Sequence, residues 1–177
     1  MPKVKYTAAK GLFQEAGSGI DLASDTSGVQ FRQKTEVLSS VGTFAAPTKT
    51  LTAADSGTTF FCDISTVSIV AQLPVPEAGL YYKFILNVAS HNEGSKDLVI
   101  VTNSAAVDIN GHVLVNGAHV EVTNATSNIR IDSSAGDATI GDFFEFHCDG
   151  TDWYVHGSVD SASAVVIDNA INSPAVP

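Results

Sequence analysis

The run His147-Cys148-Asp149 places an imidazole, a thiol and a carboxylate at consecutive positions. Those are the groups of a nucleophilic relay, in which the imidazole takes the thiol proton and the acid orients the imidazole. A relay needs the thiol and the imidazole on the same side of the backbone. Here Phe144, Phe146 and Cys148 recur at every second position, the period of a β-strand. Neighbours on a strand point to opposite faces, so His147 and Cys148 do not pair directly. The trio reads as packing beside a turn.

The other candidates for chemistry are sparser. The five histidines, His91, His112, His119, His147 and His156, include no His-Glu-x-x-His motif, and the two cysteines, Cys62 and Cys148, form no Cys-x-x-Cys. No metal and no cofactor are expected. His147 and His156 fall on the two strands of one expected hairpin, and His119 and His112 are expected opposite Leu114 and Glu121. The acids Asp97, Asp108, Asp132, Asp137, Asp142, Asp149 and Asp152 are scattered. Asp149-Gly-Thr-Asp152 lacks the Asp-x-Asp-Gly core and terminal Glu of a calcium loop, so a turn accounts for it. Gly17-Ser-Gly19 is not followed by Gly-Lys-Ser/Thr and is no phosphate loop. No nucleophile elbow is present. The Asn124-Ala-Thr126 triplet matches a glycosylation sequon. Tyr81, Tyr82, Trp153 and Tyr154 suit stacking on sugar rings, but core and interface roles are commoner for such residues. Of these, Tyr81, Trp153 and Tyr154 form the expected oligomer or ligand surface. The chain is not expected to be an enzyme.

The elements that carry these residues are strands. Residues 58–64 put Phe60, Cys62 and Ile64 on one face, and residues 66–73 put Val67, Ile69, Ala71 and Leu73 on one face. Pro74 and Pro76 end that strand, since proline cannot donate to a ladder. Residues 79–88 alternate cleanly, with Leu80, Tyr82, Phe84, Leu86 and Val88 opposed to Tyr81, Lys83, Ile85 and Asn87. Residues 98–102 are apolar on both faces, as in a strand between two layers. The pairs Asn110-Gly111 and Asn116-Gly117 both predict tight turns. Ile129 and Ile131 mark another strand. Residues 143–148 and 152–157 form a closing hairpin around Asp149-Gly150. About ten short strands separated by turn signals predict an all-β domain, an antiparallel β-sandwich or jelly-roll-like barrel.

Residues 1–47 read as an extended N-terminal arm and a linker with one strand over 29–38. A short helix over 8–15 is the alternative for part of the arm. The β-domain is expected over 48–157. Residues 158–177 read as a C-terminal tail, with 164–167 as an edge strand.

The chain has 177 residues, enough for one sizeable core. Charged residues make up only 16%. The net charge of −10 is unevenly placed. Residues 1–49 carry six basic and four acidic groups, a net of +2; the rest carries three basic and fifteen acidic, a net of −12. An acidic body opposes phosphate, so no nucleic-acid partner is expected. A basic leading segment suits an acidic neighbour. Two cysteines make no disulfide framework, and buried free thiols are expected. Met1-Pro-Lys-Val-Lys5 leads into no apolar core of a secretory signal, and no run is long enough to span a membrane. The expected site of synthesis is a cytoplasm.

Three segments in order carry a resemblance. They are Leu51-Thr-Ala-Ala-Asp-Ser-Gly57, Leu73-Pro-Val-Pro-Glu-Ala-Gly-Leu-Tyr-Tyr-Lys-Phe-Ile85, and the hairpin from Gly141-Asp142 to Tyr154. The set, over about residues 48–157, resembles small β-modules of tailed-phage virions, among them capsid decoration proteins and fibre domains. The opening Met1-Pro-Lys-Val-Lys-Tyr-Thr-Ala-Ala-Lys-Gly-Leu12 is similar to the start of small structural proteins of marine tailed phages. His147 and Cys148 depart from that pattern. The resemblance implies a non-enzymatic virion component, a homotrimer on the head surface, assembled in the host cytoplasm with the major capsid protein as partner. Lys3, Lys5, Tyr6, Lys10, Leu12 and Phe13 are then the expected capsid contacts. The alternative is a tail-fibre or receptor-binding module that binds carbohydrate.

Overall fold

Alternation at period two sets the strands, and two-residue turns and prolines set their ends. The structure, a computed structural model, describes residues 4–7, 11–14, 34–43, 45–88, 96–122, 127–131, 138–160 and 165–168. The chain divides into two units, Met1–Arg32 and Gln33–Pro177.

In the first unit, β1 (Val4–Thr7) pairs antiparallel with β2 (Gly11–Gln14), setting Lys5 opposite Phe13 and Tyr6 opposite Leu12. Within residues 1–27 the described residues form an antiparallel strand pair, and the helix alternative over 8–15 gives way to a strand at Gly11–Gln14. Gly11 disfavours a helix interior, and the β-branched and aromatic residues of Val4–Thr7 favour a strand.

The second unit holds twelve described strands. They are β3 (Thr35–Leu38), β4 (Lys49–Thr50), β5 (Thr58–Asp63), β6 (Ile69–Gln72), β7 (Tyr81–Val88), β8 (Leu98–Val101), β9 (Ile109–Val115), β10 (Ala118–Val122), β11 (Asn128–Ile131), β12 (Phe143–Cys148), β13 (Trp153–Val159) and β14 (Val165–Asp168). One sheet has seven strands in the order β10-β9-β13-β12-β7-β5-β3; the other has five in the order β14-β11-β8-β6-β4. The fold is all-β and sandwich-like. One core draws Phe60, Tyr82, Phe84, Phe144, Phe146 and Trp153 from the first sheet and Ile69, Leu98, Ile100, Ile129 and Ile131 from the second. Phe84 is fully buried in it, stacked on Phe60 at 5.1 Å and meeting Phe146 edge-on at 5.9 Å between ring centroids. Such stacked and edge-to-face pairs are the favoured aromatic geometries.

Two expectations about pairing change. The sheets are mixed rather than antiparallel: β3–β5, β5–β7, β9–β13, β4–β6 and β6–β8 all run parallel. The cause is the path of the chain. β5, β7 and β9 lie in one sheet while the intervening β6 and β8 lie in the other. Each return after one crossing restores the original direction. Asn110-Gly111 is also no turn: it lies inside β9, whereas Asn116-Gly117 makes the β9–β10 turn with φ of 47° and 79°.

β8 is buried on both faces, as a strand between layers should be. Leu98 and Ile100 join the main core, and Val99 and Val101 form a smaller cluster with Val70 on the opposite face of the five-stranded sheet. The strand expected over 29–38 is described as β3, paired with β5, and the edge strand expected at 164–167 is β14, paired with β11 at the sheet edge; the sandwich therefore extends beyond 48–157.

The motif Leu51–Gly57 is the corner between the sheets. Leu51 N–H donates to Gln72 O, on the five-stranded side. Asp55 Oδ2 accepts from the Thr52 N–H at 3.0 Å and the Thr52 hydroxyl at 2.8 Å, which closes a 3-10 turn over Ala53–Asp55. On the seven-stranded side, Gly57 N–H donates to Tyr81 O, Tyr81 N–H donates to Ser56 Oγ, and the Tyr82 hydroxyl donates to Thr52 O at 2.8 Å.

Candidate functional site

The closing hairpin decides what the chemically suggestive residues do. β12 and β13 pair in register, with Cys148 opposite Trp153, His147 opposite Tyr154 and Glu145 opposite His156. Burial alternates along both strands. Cys148 and Trp153 face the core, while His147, Tyr154 and His156 face outward. His147 and Cys148 therefore lie on opposite faces of the sheet, as strand geometry requires.

Trp153 is the one surface residue that must be withdrawn. It is completely buried, with its ring 5.7 Å from that of Tyr82 between centroids. The alternation that exposes Tyr154 (44% exposed) buries its neighbour. Both cysteines are buried and free. Burial alone pushes the Cys62 thiol far above its ordinary range, which keeps it protonated and unreactive.

The Asp149-Gly-Thr-Asp152 turn is held by its own acids. Asp149 Oδ1 accepts from the N–H of Thr151 at 2.8 Å and of Asp152 at 2.9 Å. The N–H groups of Asp152 and Thr151 hold the Asp149 carboxyl below the usual carboxylate range. Its Oδ2 accepts from the Tyr154 hydroxyl at 3.1 Å, and that bond raises the tyrosine pKa. Asp142, buried at the preceding corner, accepts from Thr139 N–H at 2.8 Å and Asp160 N–H at 3.1 Å. Burial raises its pKa against those two bonds.

What the fold assembles is a set of rows across the outward face of the seven-stranded sheet. One row runs Asn110, Tyr154, His147, Tyr81 over β9, β13, β12 and β7. The Tyr81 and His147 rings lie 4.8 Å apart between centroids. The next row is polar: Glu121, His112, His156, Glu145, Lys83. In it Lys83 pairs with Glu145 and its ammonium lies 4.7 Å from the Phe143 ring centroid. A third row is mainly apolar, from Leu114 through Phe143, Ile85 and Phe61 to Val37. His119 and His112 stand opposite Leu114 and Glu121, as their turn predicts.

Sequence reasoning found Tyr81 and Tyr154 but missed His147 and Asn110 as their companions. The Asp149-Gly150 turn would have placed His147 against Tyr154. Nothing local places β7 or β9 beside that hairpin.

Of the expected capsid contacts, Lys5, Tyr6, Leu12 and Phe13 lie on β1 and β2. Lys3 and Lys10 lie outside the described residues, as do His91, Asp132, Asp137 and the Asn124–Thr126 triplet. Among the described residues, no group of three or more His, Cys, Asp or Glu stands together to hold a metal ion, and no helix is long and apolar enough to cross a membrane. No protein-family model matches the chain, and no curated protein matches it.

Proposed function

We propose that this protein is a capsid decoration protein of a tailed phage, binding the outside of the head through its N-terminal unit and self-associating through its β-sandwich. The observation that carries the reading is the division of the chain at Arg32. A small unit rich in Gly, Ala, Ser and Thr precedes a sandwich that has its own core. Residues 1–32 carry four basic and three acidic groups, a net of +1, and residues 33–177 carry five basic and sixteen acidic, a net of −11. A separable, mildly basic unit suits attachment to an acidic lattice, while the acidic sandwich projects from it. The three ordered motifs that resemble virion β-modules add to this. The Leu51–Gly57 motif forms the inter-sheet corner.

The mechanism is mass action. A protein that binds the assembled shell and not its dissociated subunits stabilises the shell by the free energy of that binding. The major capsid protein is the partner, and a homotrimer would multiply weak single contacts. Apolar residues Tyr6, Leu12 and Phe13 supply burial, and Lys3, Lys5 and Lys10 steer association.

The test uses heads that lack this protein. Full-length chain should co-sediment with them and raise their resistance to heat. Residues 33–177 alone should keep their circular dichroism and a cooperative melt but remain in the supernatant. Full decoration by the truncated chain would overturn attachment through the N-terminal unit. The rival assignment, a tail-fibre or receptor-binding module, predicts binding to tails and none to heads.

A further inference from the structure

We infer that Tyr81, His147 and Tyr154 form a binding platform for neutral oligosaccharides on the outward face of the seven-stranded sheet. The three rings occupy one cross-strand row on adjacent strands β7, β12 and β13. Strands lie about 4.8 Å apart, so the Tyr81 and Tyr154 positions are separated by about 10 Å, the span of two consecutive pyranose rings. Aromatic faces carry negative charge density and attract the polarised C–H groups of a sugar's flat side.

The rings are set before any ligand arrives. Tyr154 is anchored by its hydroxyl to Asp149, whose other oxygen is held by two backbone N–H groups. Tyr81 leans on His147, and its backbone N–H is fixed to Ser56 Oγ. Rigid aromatic side chains on strands lose little freedom on binding.

A sugar needs directional polar partners beside the stacking surface, and the row supplies them. Asn110 ends it with an amide that both donates and accepts. His156, Glu145 and Lys83 run alongside in the neighbouring row. The charge of the body selects the ligand class. A net of −12 over residues 50–177 repels uronates and sulfated glycans and so favours neutral chains of hexoses or N-acetylhexosamines over them.

The platform is independent of how the protein is attached to a particle. The experiment titrates the full-length chain by calorimetry with maltotetraose, cellotetraose and N-acetylchitotetraose, with tetragalacturonate as the anionic control. At least one neutral tetrasaccharide should bind. Tyr81→Ala and Tyr154→Ala should each weaken that binding by about tenfold or more, while Tyr154→Phe, which keeps the ring, should stay within about threefold. Unchanged thermal midpoints would show that the variants are folded. Failure of all three neutral chains to bind, binding of tetragalacturonate alone, or affinity that survives both alanine substitutions would overturn the inference.

Discussion

Trp153 packs against Tyr82 in the core, ring centroids 5.7 Å apart at 44°, with neither side chain exposed. The contact joins β13 to β7 across β12, and Tyr82 continues it to the inter-sheet corner through its hydroxyl bond to Thr52 O. Burial pushes the Tyr82 pKa up to about 12, so this bond persists through the physiological range. Trp153 and Tyr154, adjacent in sequence, thus belong to opposite worlds. Trp153→Ala should cost about 3–5 kcal/mol of stability by opening a cavity. Trp153→Phe should cost much less, because it fills most of that space and removes a buried indole N–H that has no hydrogen-bond partner. Tyr154→Ala should stay within about 1 kcal/mol. Urea midpoints of the three variants check the ranking, and equal costs for Trp153→Ala and Tyr154→Ala would contradict it.

The two Asn-Gly pairs should respond differently to the same substitution. A Cβ on Gly117 meets nothing within 4 Å, and only its φ of 79° is unfavourable. Gly117→Ala should therefore cost about 1–2 kcal/mol. Gly111 has a φ of 134°, and a Cβ there would stand 2.1 Å from Val155 O on the neighbouring parallel strand. Gly111→Ala should cost about 3 kcal/mol or more, since strain adds to steric overlap. Thermal denaturation of both variants reads the difference.

Lys49 should shape the alkaline limb of stability. Hydrogen bonding to Glu36 is the main influence raising its pKa; burial opposes this, and the charge of Asp55 assists it. A raised base stabilises the fold fully below its ordinary value of 10.5 and loses that contribution as pH climbs through the folded value. Asp55 works at the other end. Burial pushes its carboxyl up, but bonds from the Thr52 hydroxyl and N–H and from Lys34, with the charge of Lys49, bring it below 3.8. Its contribution is present above that value and fades as pH falls through the folded one. Lys49→Met should cost about 1 kcal/mol at pH 8, and the cost should shrink once Lys49 of the parent deprotonates. Denaturant midpoints of parent and variant across the alkaline range measure this, and a pH-independent difference would contradict it.

Most of the sandwich was legible because a half-buried strand advertises itself. Tyr82, Phe84 and Leu86 against Lys83, Ile85 and Asn87 fixed β7 and its inward face, and that face is buried as expected. The alternation around Asp149-Gly150 likewise separated His147 from Cys148. Pairing between distant strands was not legible. Alternation reads the same in parallel and antiparallel ladders, so the crossings that make β5–β7 parallel left no local trace. Gly111 misled for the same reason: a glycine demanded by a close approach from Val155 looks like a glycine demanded by a turn. Trp153 lies in the core and not on the expected surface, as its alternation with exposed Tyr154 implies. The row of Asn110, Tyr154, His147 and Tyr81 depends on four strands meeting in register, which only the folded chain reveals.

The central claim is that this protein decorates a phage head. A cryo-electron microscopic reconstruction of the particle that carries it tests this most directly. The account predicts sandwich-sized density repeated at symmetry-related positions over the outer shell, with the N-terminal unit against shell subunits. Density for the protein confined to the tail, at tail copy number, would contradict it.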